Sequence, residues 1–448
     1  MTNTQDSDDN QPKRHVSRRG LLLGAGGFIG GGLVGVSAGY AAAPTGAPIA
    51  PDAIQQAVTR SPGIAKTKIT VAEPYGTDTL PFYGRRQAGV DTPVQAHGVF
   101  IGLNLNADTD GDRIASMMRL LTDDAARLTQ GRGALADLDE ELAAAPARLT
   151  ITFGFGAEVF DRTDSTMKPS WLKPLPEYSI DQLEPDYTGG DLLIQIQGDD
   201  AISVAHARRM LLKDARAFAA VAWTQTGFTH ARASHPDDTT TRNLFGQVDG
   251  STNPPQGSDA AERIVWGSGA GDGGGTKDLH PWIENGTSMV IRRIAMDLDE
   301  WDELDRPMQE DVIGRKLGSG APLTGSNEHD EPDFEAAGPA GFPVISDISH
   351  IRRARTNDSD EAMFRRSFNY DEPPTMSEIS VHGQTGVSAS GLIFVAFQCD
   401  VEQQYVPIQN RLAESDHLNL WTVPIGSAVF AIPPGCQEGG FIGEELFV

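Results

Sequence analysis

Three short segments of this 448-residue chain carry side chains whose types and spacing could do chemistry. In residues 242–250, Asp249 lies in the run Gly246-Gln247-Val248-Asp249-Gly250, behind the apolar pair Leu244 and Phe245. Glycine lets a backbone turn tightly and come close to something flat or bulky. An ordinary Asp-Gly turn is the plainer alternative. The second segment holds Ser349-His350-Ile351-Arg352-Arg353 and, fifteen residues after the histidine, Arg365-Arg366-Ser367-Phe368-Asn369-Tyr370. A neutral imidazole ligates metals, although a lone histidine is more often structural. The third, residues 391–398, is an apolar run containing Leu392 and Phe394, of the kind ordinarily spent on core.

Other motifs carry less. Asp108-Thr109-Asp110-Gly111-Asp112 begins like a calcium loop, but the twelfth position, counted from Asn106 or Asp108, is Met117 or Arg119 where a bidentate glutamate is needed. A solvated turn capping the next helix is the expectation. Residues 269–274 fit G-x-G-x-x-G by letter, with no strand before them and no helical pattern after, so a dinucleotide site is not expected. Cys399 and Cys436 are too few for a disulfide framework and have no C-x-x-C spacing. One bridge is open to them, and two buried free thiols are the favoured reading.

The elements that must position these segments show in the hydrophobic period. Val99, Ile101, Leu103 and Leu105 alternate as a half-buried strand does, and Ile114, Met117, Met118, Leu121, Ala125 and Leu128 recur at helical spacing. Alternation returns over 149–155 and 192–196, and another helical pattern covers 201–218. A strand, helix, strand, strand, helix, strand order is that of a ferredoxin-like unit. After a loop-rich middle, 288–296 reads as strand, 299–313 as helix, 392–398 as strand, 401–412 as helix and 422–432 as strand. The expected fold is α+β: two ferredoxin-like halves, 71–235 and 236–448, with antiparallel sheets covered by helices.

Composition excludes several classes. Lys and Arg number 36 against 62 Asp and Glu, a formal charge of −26. That much negative charge argues against nucleic-acid partners, because phosphates are repelled. Residues 1–43 read as a targeting segment: Ser17-Arg18-Arg19-Gly20-Leu21-Leu22 opens an uncharged stretch that ends in Ala41-Ala42-Ala43. Nine of the 24 residues from 20 to 43 are glycine, a poor membrane anchor. Paired arginines, a weakly apolar core and a small-residue cleavage site are similar to a twin-arginine export signal. Residues 44–70, rich in Pro, Ala and Gly, read as a linker.

Taken together and in this order, the three segments resemble the dye-decolourising peroxidase family, haem b enzymes. The family's G-x-x-D-G element matches 246–250, its proximal S-H-I-R element matches 349–352, and its distal arginine element matches 365–370. Phe82-Tyr83-Gly84-Arg85-Arg86-Gln87-Ala88-Gly89-Val90 and Ile313-Gly314-Arg315-Lys316 extend the likeness. Gln247 and Val248 depart from it, standing where an aromatic and a lysine are common. The stretch between His350 and Arg365 is also shortened.

The resemblance implies a dimeric α+β barrel-like arrangement of the two halves and haem b in the second, with His350 as the proximal iron ligand. Gly246, Gly250, Arg366, Leu392 and Phe394 would contact the cofactor. Asp249 would be the acid-base carboxylate and Arg365, favoured over Arg366, the distal arginine. It implies hydrogen peroxide and an organic reductant as substrates, and the twin-arginine translocase as export partner, delivering the protein to the periplasm, cell surface or exterior. The exported branch of the family also suggests a haem-handling role in iron uptake, as a deferrochelatase, in the alternative. A homo-oligomer is compatible with all of this. Asp400 is the candidate carboxylate behind His350, or equally, with Gln403, a helix cap.

Overall fold

The computed structural model describes residues 75–236, 239–267, 281–373 and 389–447. Residues 1–70 and the glycine run 269–274 lie outside the described residues. Among the latter, nine strands form one sheet: β1 His97–Leu105, β2 Thr150–Phe155, β3 Leu192–Gly198, β4 Ala219–Phe228, β5 Thr287–Met296, β6 Phe364–Arg365, β7 Phe368–Glu372, β8 Ala389–Gln398 and β9 Thr422–Ile432. In the first half the order across the sheet is β2-β3-β1-β4, and in the second it is β9-β5-β8-β7. Each is the antiparallel ferredoxin-like order that the alternation led one to expect. The halves share one sheet, through single bridges at Phe155↔Ala431 and Phe228↔Asn369, so eight strands close into a barrel and β6 adds to β8. Closure removes the exposed edges. At the second seam Gly227 is required, since a Cβ there would lie 2.7 Å from the Phe368 side chain and 2.8 Å from Asn369 O.

The period of two decides which residues fill the barrel. Ile291, Ile393, Val395 and Phe397 point inward and pack with Phe100, Leu193, Trp223 and Phe430. Their neighbours Arg292, Ile294, Leu392 and Phe394 take the outer face, where β5 and β8 set Ile294 opposite Leu392 and Arg292 opposite Phe394. Helices cover that face. In the first half these are α1 Gly111–Thr129 and α2 Ala201–Ala215. Asp110 caps α1, accepting from Arg113 N at 3.0 Å, so the Asp108–Asp112 run is a capping turn. In the second half the expected 299–313 helix is broken into α3 Leu298–Asp302 and α4 Arg306–Ile313. Asp305 caps the latter, and Pro307 sits where its missing N–H costs nothing. Then come α5 His350–Ala354 and α6 Val406–Ser415, the latter entered through a π-helical turn over Val401–Tyr405. Cys399 and Cys436 are both buried and no disulfide joins them.

One feature of the α1–α2 packing gives a pH-dependent prediction. Asp214 on α2 is pushed up to about 7, first by burial, then by the hydrogen bond and charge of Asp124, with Lys213 and Arg216 partly offsetting. Asp124 is itself buried on α1 and accepts from Leu135 N at 2.7 Å. A carboxyl whose folded pKa is raised favours the fold below its unfolded pKa, near 4. That contribution is lost as pH climbs through the folded value. Asp214 is half-exposed, so screening leaves about 1–2 kcal/mol of the full shift. Asp214→Asn is therefore expected to raise Tm by a few degrees at pH 8 and to leave it unchanged at pH 4. A mutant difference independent of pH would refute the shared-proton account.

Candidate active site

On the outer face of β5, β8 and β9, beneath α5 and α6, lies a cavity of about 770 Å³. Its walls include Arg292, Ile294, Leu392 and Phe394 from the sheet, His350 and Ile351 from α5, and Ile408 and Leu412 from α6. Asp249 and Arg365 line it too. The size is in the range of cofactor pockets, and the mixture of apolar walls with a few convergent polar groups is their usual make-up.

Local sequence explains how each polar group arrives. The 242–250 segment is a tight hairpin: Gly246 N donates to Asn243 O at 3.0 Å and Asp249 N to Thr241 O at 2.8 Å. Gly246 at φ +78° and Gly250 at φ +124° take backbone conformations that side chains disfavour. These two glycines are not among the residues that line the cavity, and their part is to aim Asp249. Its Oδ1 accepts from Arg365 Nη1 at 3.0 Å. Arg365 is the last residue of β6, and its backbone is gripped from both sides by one amide. Asn253 Nδ2 donates to Arg365 O at 2.7 Å, and Arg365 N donates to Asn253 Oδ1 at 3.0 Å.

Arg366 faces the other way. It is 2% exposed and donates to Gln197 Oε1 at 2.7 Å, Pro93 O at 3.1 Å, Thr92 O and Gln95. Its expected place at the cofactor is thus corrected: successive strand residues point to opposite faces, and the second arginine is used to tie the two halves together.

His350 opens α5 behind the buried Ser349, whose hydroxyl donates to Ser346 O at 2.8 Å. Its Nδ1 donates to Asp416 Oδ2 at 2.6 Å, and Asp416 Oδ1 accepts from Leu418 N at 3.0 Å. Asp416 is 3% exposed on its side chain, while His350 is 28% exposed because it fronts the cavity. Burial pulls the imidazole pKa down, but the charge and hydrogen bond of Asp416 outweigh it, with a further lift from Asp249 against Arg365, so the net shift is upward. Asp400 does not stand behind the histidine. Its Oδ1 takes Glu402 N at 2.8 Å and Gln403 N at 3.0 Å, which is the capping alternative.

Sequence reasoning missed Asp416, Asn253 and Arg292. Asp416 lies 66 residues from His350 with no motif around it. Arg292 is buried on β5, paired with Asp181 and stacked over the Tyr178 ring at 5.6 Å. Its place on the outer face followed from alternation, but a buried arginine did not.

Comparison with known proteins accounts for the arrangement. Family models described as Dyp-type peroxidase, N-terminal, and Dyp-type peroxidase, C-terminal, match residues 87–229 and 240–437. A dye-decolorizing peroxidase from Thermobifida fusca is 34% identical over 97% of this chain and 98% of its own length. A deferrochelatase from Escherichia coli O157:H7 is 32% identical over 82% of this chain and 86% of its own. Among solved structures, ferric DtpA from Streptomyces lividans superposes with a TM-score of 0.76 at 36% identity, covering 84% of this chain and 100% of that one.

The residues present fit haem. His350 has one ring nitrogen committed to a carboxylate, which orients the other for a metal, and Leu392, Phe394, Ile351 and Leu412 offer apolar surface to a flat macrocycle. The two family models run from β1 to the end of β9 with hardly a break, and the T. fusca relative matches almost the whole chain, so this protein belongs to the Dyp-type peroxidase family and is a haem peroxidase.

Proposed function

We propose that this protein reduces hydrogen peroxide at haem held by His350, drawing electrons from dyes, phenols or other bulky organic reductants. The observation that carries the reading is the Asp249–Arg365 pair, a carboxylate and a guanidinium 3.0 Å apart in the same cavity as the His350–Asp416 dyad. Haem supplies an iron centre that binds peroxide and accepts its oxidising equivalents. The side chains supply the rest. Asp249 takes the proton from one peroxide oxygen on a carboxylate oxygen and returns it to the other. Arg365 stabilises negative charge developing on the departing oxygen and keeps Asp249 oriented by their hydrogen bond. Leu392 and Phe394 keep water away from the pair, which strengthens it. Asp416 fixes the His350 tautomer and makes its ring a stronger donor.

The E. coli relative named as a deferrochelatase supports a second reading, removal of iron from haem. Product analysis separates the two. Holoprotein given peroxide and a phenol should yield oxidised phenol and keep its iron. Iron-free porphyrin accumulating with no oxidised donor would overturn the peroxidase assignment for this cavity.

We also propose export by the twin-arginine route, a reading supported by Arg18, Arg19 and the weakly apolar stretch after them. Arg18→Lys with Arg19→Lys should leave the precursor in the cytoplasm. Undiminished export of that double mutant would point to another route.

A further inference from the structure

The strand that delivers Arg365 brings a second reactive side chain to the same place. Across the sheet, Arg365 stands opposite Ala396 and Phe364 opposite Phe397. Side chains alternate between faces along an extended chain, so Met363 shares the outer face with Arg365. The packing agrees: Phe364 packs with the barrel interior, whereas Met363 packs against the cluster beneath the helices, to which Ala396 and Tyr405 belong. Met363 and Arg365 both line the cavity, and Met363 is only half-buried. Two residues along a strand span about 7 Å. A thioether therefore stands next to the guanidinium that serves peroxide.

A thioether is soft, polarizable and readily oxidised to a sulfoxide. The other methionines among the described residues are placed differently. Met117, Met118, Met210 and Met289 are buried in the core, and Met167 packs against it outside the cavity wall. Met296 lines the cavity, but it follows Ala295, which pairs with Gly391, about 15–20 Å along β8 from the Ala396 that pairs with Arg365. Met308 is 54% exposed on α4, outside the cavity wall. Arg365 can also hold the oxidised product. Its Nη1 donates to Asp249 Oδ1 at 3.0 Å, while its Nη2 makes a long 3.5 Å contact with Thr252 Oγ1, which leaves donor capacity for a sulfoxide oxygen.

We propose that Met363 is an oxygen-acceptor site: in the absence of an organic reductant, hydrogen peroxide held by Asp249 and Arg365 converts it to methionine sulfoxide. A sulfur lone pair forms the S–O bond as the O–O bond breaks, so sulfur loses two electrons and the peroxide gains them. Asp249 carries the proton from the attacked oxygen to the departing one, which leaves as water beside Arg365. The new sulfoxide oxygen then competes with Asp249 for the guanidinium, and each modified molecule reacts more slowly with further peroxide. The inference rests on the peroxide-handling role proposed above for the Asp249–Arg365 pair.

The experiment treats holoprotein with isotopically labelled hydrogen peroxide, without reductant, and maps methionine oxidation by peptide mass spectrometry. Wild type, Arg365→Leu and Met363→Leu are compared, with the exposed Met308 as reference. In wild type, Met363 is expected to take up heavy oxygen about tenfold faster than Met308, and Arg365→Leu should cancel that lead while leaving Met308 unchanged. Met363→Leu, a substitution of similar volume, should react with peroxide at the wild-type initial rate and stay active through several-fold more peroxide than wild type. Oxidation of Met363 no faster than that of Met308, or equally fast in Arg365→Leu, would overturn the proposal. So would light oxygen in the sulfoxide, or a Met363→Leu variant that fails as early as wild type. A normal Soret response to peroxide with Met363 intact would overturn this proposal alone, whereas a wild-type Soret band that does not respond would tell against the peroxidase reading.

Discussion

Arg365→Leu is expected to slow the reaction of the ferric holoprotein with hydrogen peroxide by about 10² to 10³, the usual cost of losing one preorganised donor at a developing negative charge. Asp249→Asn removes the proton carrier, and such groups typically contribute about 10² to 10⁴. The geometry favours a severe effect at Arg365, because its Nη1 both faces the cavity and holds Asp249 Oδ1 at 3.0 Å, so one substitution disturbs two functions. The two losses should not multiply. Groups acting as a unit are non-additive, and the double mutant should be little slower than the worse single one.

Asn253 extends the same logic. Its amide holds the backbone N–H and C=O of Arg365. Asn253→Ala should thus slow the reaction in wild type and change nothing in the Arg365→Leu background. Stopped-flow measurement of the Soret change against peroxide concentration, with haem content checked for each variant, gives all of these rates. Near-normal rates in both Arg365→Leu and Asp249→Asn would remove the distal-site argument. An additive Asn253 effect would make that residue merely structural.

What the sequence made legible follows from how local the determinants are. The strands β1, β2, β3, β5, β8 and β9 announce themselves by alternation, because successive strand residues face opposite sides of the sheet and the two sides here carry different residue types. β7 did not, since Phe368-Asn369-Tyr370 is five residues long with its flanks and had been read as part of the arginine motif. The barrel-like arrangement was legible only through the family resemblance and not from the period: each seam is a single bridged pair, and no pattern in the chain records which strand lies across it. The adjacent arginines show the limit most clearly. Arg365 and Arg366 are chemically identical and one residue apart. Only the pairing of β6 with β8, Arg365 opposite Ala396, decides which of them meets Asp249 and which one is buried against Gln197. The carboxylate behind His350 shows it again. Asp400 and Asp416 bracket the same helical region, and the capping geometry that claims Asp400 leaves Asp416 to reach the imidazole.

That last assignment can be tested on the iron itself. His350→Ala is expected to lose most of its haem, because the described cavity offers no second histidine to take over the ligand's place. Substituting Asp416 should be milder and of another kind. An aspartate hydrogen-bonded to Nδ1 makes the imidazole a stronger electron donor and thereby favours the oxidised iron, so Asp416→Asn should retain haem but raise the ferric/ferrous reduction potential. Losses of roughly 10–100-fold in activity or ligand affinity accompany removal of such a partner in comparable sites. Asp400→Asn serves as the control: it disturbs the entry to α6, where Asp400 accepts from Glu402 N and Gln403 N, and should leave the potential where it is. Haem content by absorbance and potentiometric titration of the three variants decide the matter. A potential that moves in Asp400→Asn and stays fixed in Asp416→Asn would reverse the assignment. Full haem occupancy with an unaltered spectrum in His350→Ala would show that the iron is held from elsewhere in the cavity.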